Sequence, residues 1–486
     1  MTEPFSHRPR PVRVAVVGTM MAYYAPIIGP AFRDLMAGHV TGTTDRLGPA
    51  SGFEVTTLGH WAEDADTDGI ARALGAEDFD VLLIVPAMCT PPAAIAALAR
   101  ASGLPVVIAG AHELTSVGAE YDMRALCRHS VNVGVSMMGA MLRRTEGVPP
   151  ILVSGWLDDA VFHARLATAL RTAALARRMT GLRVGRLGLP MTGYDHVGLT
   201  EAEGAASGLE IVDVPLDDWA ARVAAVSDDA LRVFVNDRLP ALIPGQTDVE
   251  QGEPLELAAR LALALDRVAT ELELDCGSLS CRGPFGVGLA QGAIGCLATS
   301  LLTGTGRPFS ATGDLVTAVA MHVGRSLGGA TLYCELDAID RDRGAFLVAN
   351  TGESDFAWTP AGGATAIRAS GSLSGREVPG VVLSHDLSAG PATMLGLTLD
   401  RTRSERLSLI ALEGETLEPA RTGLRVTQGW FRSAGGDPIT DFEAWANAGA
   451  THHGALSRGH LSEAMTWLAR QCGWPVTTIP SGARHV

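Results

Sequence analysis

The N-terminal third of the chain alternates short apolar runs with helical segments, and this alternation limits the possible folds more than any other feature. Val12-Arg13-Val14-Ala15-Val16-Val17 is rich in β-branched residues, ends at Gly18 and predicts a buried parallel strand. Runs at 53–58, 81–85 and 106–109 predict three more, with helices near 30–37 and over 93–100. Strands and helices in this order form an open doubly wound sheet, whose ligands bind at the carboxyl ends of the strands. Met20, Tyr23, Met88, Cys89 and His112 stand at those ends.

A second α/β unit is expected from Pro149. Ile151-Leu152-Val153 would open it, followed by a helix over 158–178 and strands at 182–189, 209–214 and 233–235. A long amphipathic helix spans 254–272. From 274 to 350 the pattern tightens around glycines. Residues 361–446 then carry short β-type runs at 381–383, 407–410 and 423–426, split by Gly and Pro, as in a small antiparallel barrel or sandwich. An amphipathic helix over 461–472 closes the chain. These features predict a Rossmann-like α/β domain (1–148), a second doubly wound α/β domain carrying the central acidic motifs (149–355), and a β-rich, barrel-like domain with a closing helix (356–486).

Composition narrows the chemistry. All 38 basic residues are arginine, so lysine is absent. This excludes Schiff-base aldolase chemistry, a pyridoxal-phosphate lysine and a Walker A loop, each of which needs an amine. The net charge of −15 disfavours a nucleic-acid partner. The basic cluster Arg8, Arg10 and Arg13 reads as a solvated N-terminal leader. Seven cysteines, an odd number without a CxxC pair, point to reduced thiols in the cytoplasm. The first apolar run is too short for a signal peptide, and no stretch is apolar enough for a membrane span.

Four segments could carry chemistry. Thr451-His452-His453-Gly454 is an extended segment, on which neighbouring histidines face opposite ways, so one of the two would serve a given site. Pro308-Phe309-Ser310-Ala311-Thr312-Gly313-Asp314 opens a helix, with Thr312 or Asp314 as its N-cap. Glu335, in Tyr333-Cys334-Glu335-Leu336-Asp337, is expected at a strand end, as a solvated charge, an acid or a metal ligand. Cys276 and Cys281 lie five apart without further metal ligands nearby. The glycines at 283, 286 and 288 lack the strand and acidic residue that a Rossmann fingerprint requires.

Taken in order, these segments resemble the L-fucose/L-arabinose isomerase family. The likeness rests on 295–303, Arg307-Pro308 and Gly313-Asp314-Leu315, then on Cys334-Glu335-Leu336-Asp337, and on His452-His453 with its closing helix. Gly188-Leu189-Pro190-Met191 adds to it. The resemblance implies two Rossmann-like domains, a β-rich C-terminal domain and assembly as a homotrimer or homohexamer. It also implies aldose–ketose interconversion through an enediol, with a divalent metal, usually manganese. Glu335, Thr312 and Asp314 would form the catalytic group. His112, His452 and Asn350 would face the sugar, and Glu335 and His453 would hold the metal. Thr312 stands where the family carries a glutamate, and Asn350 where it carries a histidine, so one proton-carrying carboxylate and one imidazole are absent from the usual set. Two other readings share the scaffold. One is a lyase, decarboxylase or transferase step on a carbohydrate, using Cys276, Cys281 or His112. The other is sugar binding without catalysis.

Overall fold

The computed structural model describes the chain except residues 1–2, 64–65, 145–146, 148, 244, 282–291, 371, 374–375, 378 and 480–486. The chain forms two compact units. One comprises residues 10–179 and 470–473, and the other residues 1–9, 180–469 and 474–486.

The first unit is built on β1 (Val12–Thr19), β2 (Phe53–Trp61), β3 (Val81–Pro86), β4 (Val106–His112) and β5 (Ile151–Trp156). All pair in parallel, in the order β2-β1-β3-β4-β5. β3 is buried at every position, which explains its unbroken apolar run: helices on both faces leave no solvent side. Ile84, Ile108, Ile95, Leu98 and Met138 belong to one core cluster of this unit.

Two expectations change here. The strand at 151–156 does not open a second sheet. It pairs with β4 from Val107–Ile151 to His112–Trp156, and the helix Ala160–Met179 stays in the same unit. An apolar run marks a buried strand but does not say which sheet edge receives it. Arg10 and Arg13 are not part of a solvated leader either, whereas Arg8 is exposed. Asp80 is fully buried, and its oxygens accept from Arg10 (2.7 Å), Arg178 (2.7 Å) and the backbone N–H of Arg13 (2.9 Å). Burial alone would raise the Asp80 pKa, but these donors hold it below the usual carboxylate range.

The second unit contains β6 (Leu182–Leu187), β7 (Leu209–Asp213), β8 (Gln246–Val249), β9 (Cys276–Leu279) and β10 (Phe309–Ala311). Four of these form a parallel sheet in the order β10-β9-β6-β7. The expected strand at 233–235 is helical instead, running from Asp228–Val233 into a π-helical turn at Phe234–Arg238. Of that apolar triplet only Phe234 is buried, against Phe5.

The strand-rich part follows: β11 (Thr331–Asp340), β12 (Ala345–Ala349), β13 (Thr365–Ala369), β14 (Ser372–Leu373), β15 (Arg376–Glu377), β16 (Val381–Ser384), β17 (Gly390–Thr398), β18 (Ser408–Thr416), β19 (Gln428–Ser433), β20 (His453–Arg458) and β21 (Val476–Ile479). The order β17-β20-β11-β12-β19-β18 is closed by pairing of β17 with β18, which makes a barrel, and β21 adds in parallel to β18. Residues 423–426 form no strand. The barrel takes β11 and β12 from before residue 356, so it does not begin at the expected boundary. Leu332, Cys334, Phe346, Met394, Leu412 and Leu456 share its core. Tyr333 and Glu335 alternate with the core residues of β11 and therefore lie on the opposite face. The helix Leu315–Gly328 packs against β9 and β10 on one side and β11, β17 and β20 on the other. Its N-terminus therefore stands where the carboxyl end of the parallel sheet meets the barrel wall.

Candidate active site

The site is assembled by one turn and one strand pair. After β10 the chain turns through Thr312 (φ 58°) and Gly313 (φ 78°), both left-handed. A Cβ at Gly313 would lie 2.4 Å from the backbone nitrogen of Pro190, so only glycine lets the turn seat on the Gly188–Met191 segment. Asp314 then caps the helix Leu315–Gly328: its Oδ1 accepts from the Thr317 N–H at 2.7 Å. Its other oxygen, Oδ2, accepts from His453 Nδ1 at 2.8 Å. Asp314 is completely buried.

Glu335 lies within β11, not at its end, directly opposite His453 of β20. The Glu335 Oε1 to His453 Nε2 distance is 3.3 Å. Tyr333, two residues earlier on the same face, places its hydroxyl 2.7 Å from His453 Nδ1 and 3.1 Å from Thr312 Oγ1. Burial opposes charge on His453, but hydrogen bonds and the charges of Asp314 and Glu335 outweigh it, and the pKa rises to about 9.

His452 corrects an expectation. It precedes β20 in a bend, so strand alternation does not separate the two histidines. Their ring centroids are 3.8 Å apart. His452 Nδ1 is 3.2 Å from His196 Nε2, and Tyr194 packs edge-on against the His452 ring. Burial, and then the charge of His453, lower the His452 pKa. Donor atoms of Glu335, His452 and His453 all lie within 4.8 Å of one another, close enough to hold a metal ion. Carboxylate and imidazole are donor types suited to a divalent transition metal, so these residues fit one. A cleft of about 380 Å³ lined by Glu335, Asp337, Trp445, Thr451 and His452 opens beside them.

The other candidates are placed differently. Asn350 follows β12, one residue past the partner of Glu335, and is hydrogen-bonded through Oδ1 to Thr351. Its Nδ2 is buried without a partner. His112 belongs to the other unit, where it lines a pocket of about 460 Å³ with Glu113, His129 and Trp156. Cys276 and Cys281 are fully buried, and burial pushes the Cys276 thiol well above its ordinary pKa. The glycines at 283, 286 and 288 lie outside the described residues. Two residues of the cluster were missed in the sequence. Tyr333 has a signal, its two-residue spacing from Glu335. His196 has none, since its partner is 256 positions away.

The fold and cluster together define a class: an α/β protein with two doubly wound sheets and a closed β-barrel, carrying a buried carboxylate–imidazole site on the barrel's outer wall. Over 354 residues, 70% of this chain, it is 26% identical to the L-arabinose isomerase of Nocardioides sp., covering 68% of that protein. It is also 26% identical over 335 residues, 64% of the chain, to the L-arabinose isomerase of Clavibacter sepedonicus, covering 62% of that one. No family model matches. These matches make the chain a distant relative of the L-arabinose isomerases and agree with the resemblance seen in the sequence. Among the described residues no helix is long and apolar enough to cross a membrane.

Proposed function

We propose that this protein interconverts an aldose and a ketose through an enediol, with a divalent metal such as Mn2+ held by Glu335 and His453. The observation that carries this reading is the Glu335–His453 pair at 3.3 Å, with Asp314 behind the imidazole. A bound divalent metal would polarise the sugar's carbonyl and hydroxyl oxygens. Glu335, half-exposed toward the cleft, takes the proton from one sugar carbon and returns it to the next. Asp314 holds His453 in a fixed orientation by accepting from its Nδ1. Thr312 cannot take up a proton near neutral pH, so its hydroxyl, hydrogen-bonded to Tyr333, serves to position rather than to shuttle. Burial of Cys276 and Cys281 weighs against the reading in which they act as acid or base.

The substrate is an unphosphorylated sugar, in keeping with the absence of lysine. The family resemblance supports a homotrimer or homohexamer. The free state of all seven cysteines supports a cytoplasmic setting. The test is incubation of the full-length protein with pentoses and 6-deoxyhexoses in D2O with manganese, followed by NMR. Isomer formation with deuterium entering at C1 or C2 is expected. No isomer and no exchange with any sugar, for both the wild type and Thr312→Glu, would overturn the reading.

A further inference from the structure

Thr312 and Asn350 leave Glu335 and His453 as two donors where a divalent ion needs more. His452 is placed to supply the next. It lies in a bend beside the cleft, its ring is 3.8 Å from that of His453, and a donor atom of it lies within 4.8 Å of those of Glu335 and His453. Its Nδ1 faces His196 Nε2 at 3.2 Å, so its Nε2 is the nitrogen left to act as a ligand. Two ligand atoms on one ion with bonds of about 2.1 Å are roughly 3.0–3.4 Å apart, and the 3.3 Å between Glu335 Oε1 and His453 Nε2 falls in that span.

We propose that His452 is the third metal ligand of this chain, giving a centre of two imidazoles and one carboxylate, Glu335, His452 and His453. Two positioning residues stand behind it. Asp314 accepts from His453 Nδ1, which leaves His453 Nε2 to face the ion, and His196 Nε2 lies 3.2 Å from His452 Nδ1, where as an acceptor it would leave His452 Nε2 likewise. A carboxylate-rich centre suits manganese, whereas a set dominated by imidazole suits iron, cobalt, nickel or zinc, and it leaves coordination positions open to a substrate. The assignment rests on the metal-dependent reading above, but it concerns binding and not turnover. Among the described residues, His452 is the side chain that completes a three-donor group with Glu335 and His453.

The test is metal binding by the chelator-stripped, full-length protein, using Co2+ and Mn2+ as probes, with stoichiometry by elemental analysis and the visible spectrum of bound Co2+. One Co2+ per chain is expected, bound at least about tenfold more tightly than Mn2+. His452→Ala should weaken Co2+ binding at least about 100-fold and change the spectrum. His196→Ala should weaken it about 10–100-fold, as loss of a residue behind a metal-bound histidine typically does. Both side chains are exposed, so the variants should unfold at the wild-type temperature. Unchanged Co2+ affinity and spectrum in His452→Ala would overturn the assignment, as would absence of bound metal in the wild type at millimolar Co2+. Sugar isomerisation measured alongside separates the two readings. Turnover with a His452-independent metal, or with none, would sink the ligand assignment and leave the isomerase.

Discussion

Asp314 divides its carboxylate between the Thr317 N–H, at 2.7 Å from Oδ1, and His453 Nδ1, at 2.8 Å from Oδ2. Helix capping and orientation of a site imidazole thus depend on one buried side chain. The two roles separate by substitution. Both variants leave His453 without its buried counter-charge, but Asp314→Asn keeps a capping oxygen, whereas Asp314→Ala also loses the cap, at a cost of about 1 kcal/mol. Asp314→Ala should therefore unfold at clearly lower temperature than Asp314→Asn. Both should bind metal about 10–100-fold more weakly than the wild type. Equal metal affinity in all three proteins would show that Asp314 only caps.

Glu335→Gln should abolish turnover, because the amide neither takes up a proton nor neutralises a cation. Half-exposed Glu335 adds little to the core, so thermal unfolding should stay within about 0.5 kcal/mol of the wild type. Steady-state rates on any sugar the protein converts decide the matter, and retained activity would remove Glu335 from the catalytic group.

Thr312→Glu should place a second carboxylate in the buried turn beside Tyr333. Restoring one general acid or base typically gains about 10²-fold in rate, so a large gain in kcat is expected together with tighter Mn2+ binding. If neither quantity changes, the pocket has diverged beyond this one position.

A separate buried imidazole sets an acid limit on stability. His385 accepts from the Ser354 hydroxyl at Nε2 (2.7 Å) and donates from Nδ1 to the Asp386 carbonyl (2.9 Å). Burial lowers its pKa to about 4. The unfolded chain binds this proton more readily than the native state, so the contribution is full above pH 6.5. It is lost as the pH falls from 6.5 toward 4, by about 3 kcal/mol in total. In His385→Gln this part of the acid destabilisation should disappear. Denaturant titrations at pH 4.5 and 7.5 would show it, and an unchanged pH dependence in the variant would assign the loss to other groups.

In the unit of residues 10–179, Asp80→Asn should destabilise by about 3 kcal/mol, since it strips a buried counter-charge from Arg10 and Arg178. Chemical denaturation measures this directly. A change below about 0.5 kcal/mol would mean that solvent compensates both arginines.

Much of the architecture was legible because its strands are buried on both faces. The runs at β1, β3 and β4 and the long amphipathic helices needed no partner to be recognised. Errors arose where a short apolar run had two possible settings. Phe234 is inward on a helical turn, so 233–235 mimics a strand, and β5 needed a sheet edge that its own residues do not specify. In the site, the resemblance points to Asp314, Glu335 and His453, and the structure brings these three side chains together. The resemblance did not reveal that Tyr333 joins three of its members through one hydroxyl.

By itself the sequence determined the strand and helix periodicity, the family likeness and the absence of lysine. These are properties of local composition and spacing. Tertiary structure alone decided that β11 and β12 close a barrel, that Glu335 is paired with His453, and that His452 turns toward the same cleft with His196 behind it. The reason is physical: strand register and bend geometry bring together side chains separated by more than a hundred positions. No pattern within either segment encodes which residue it will meet.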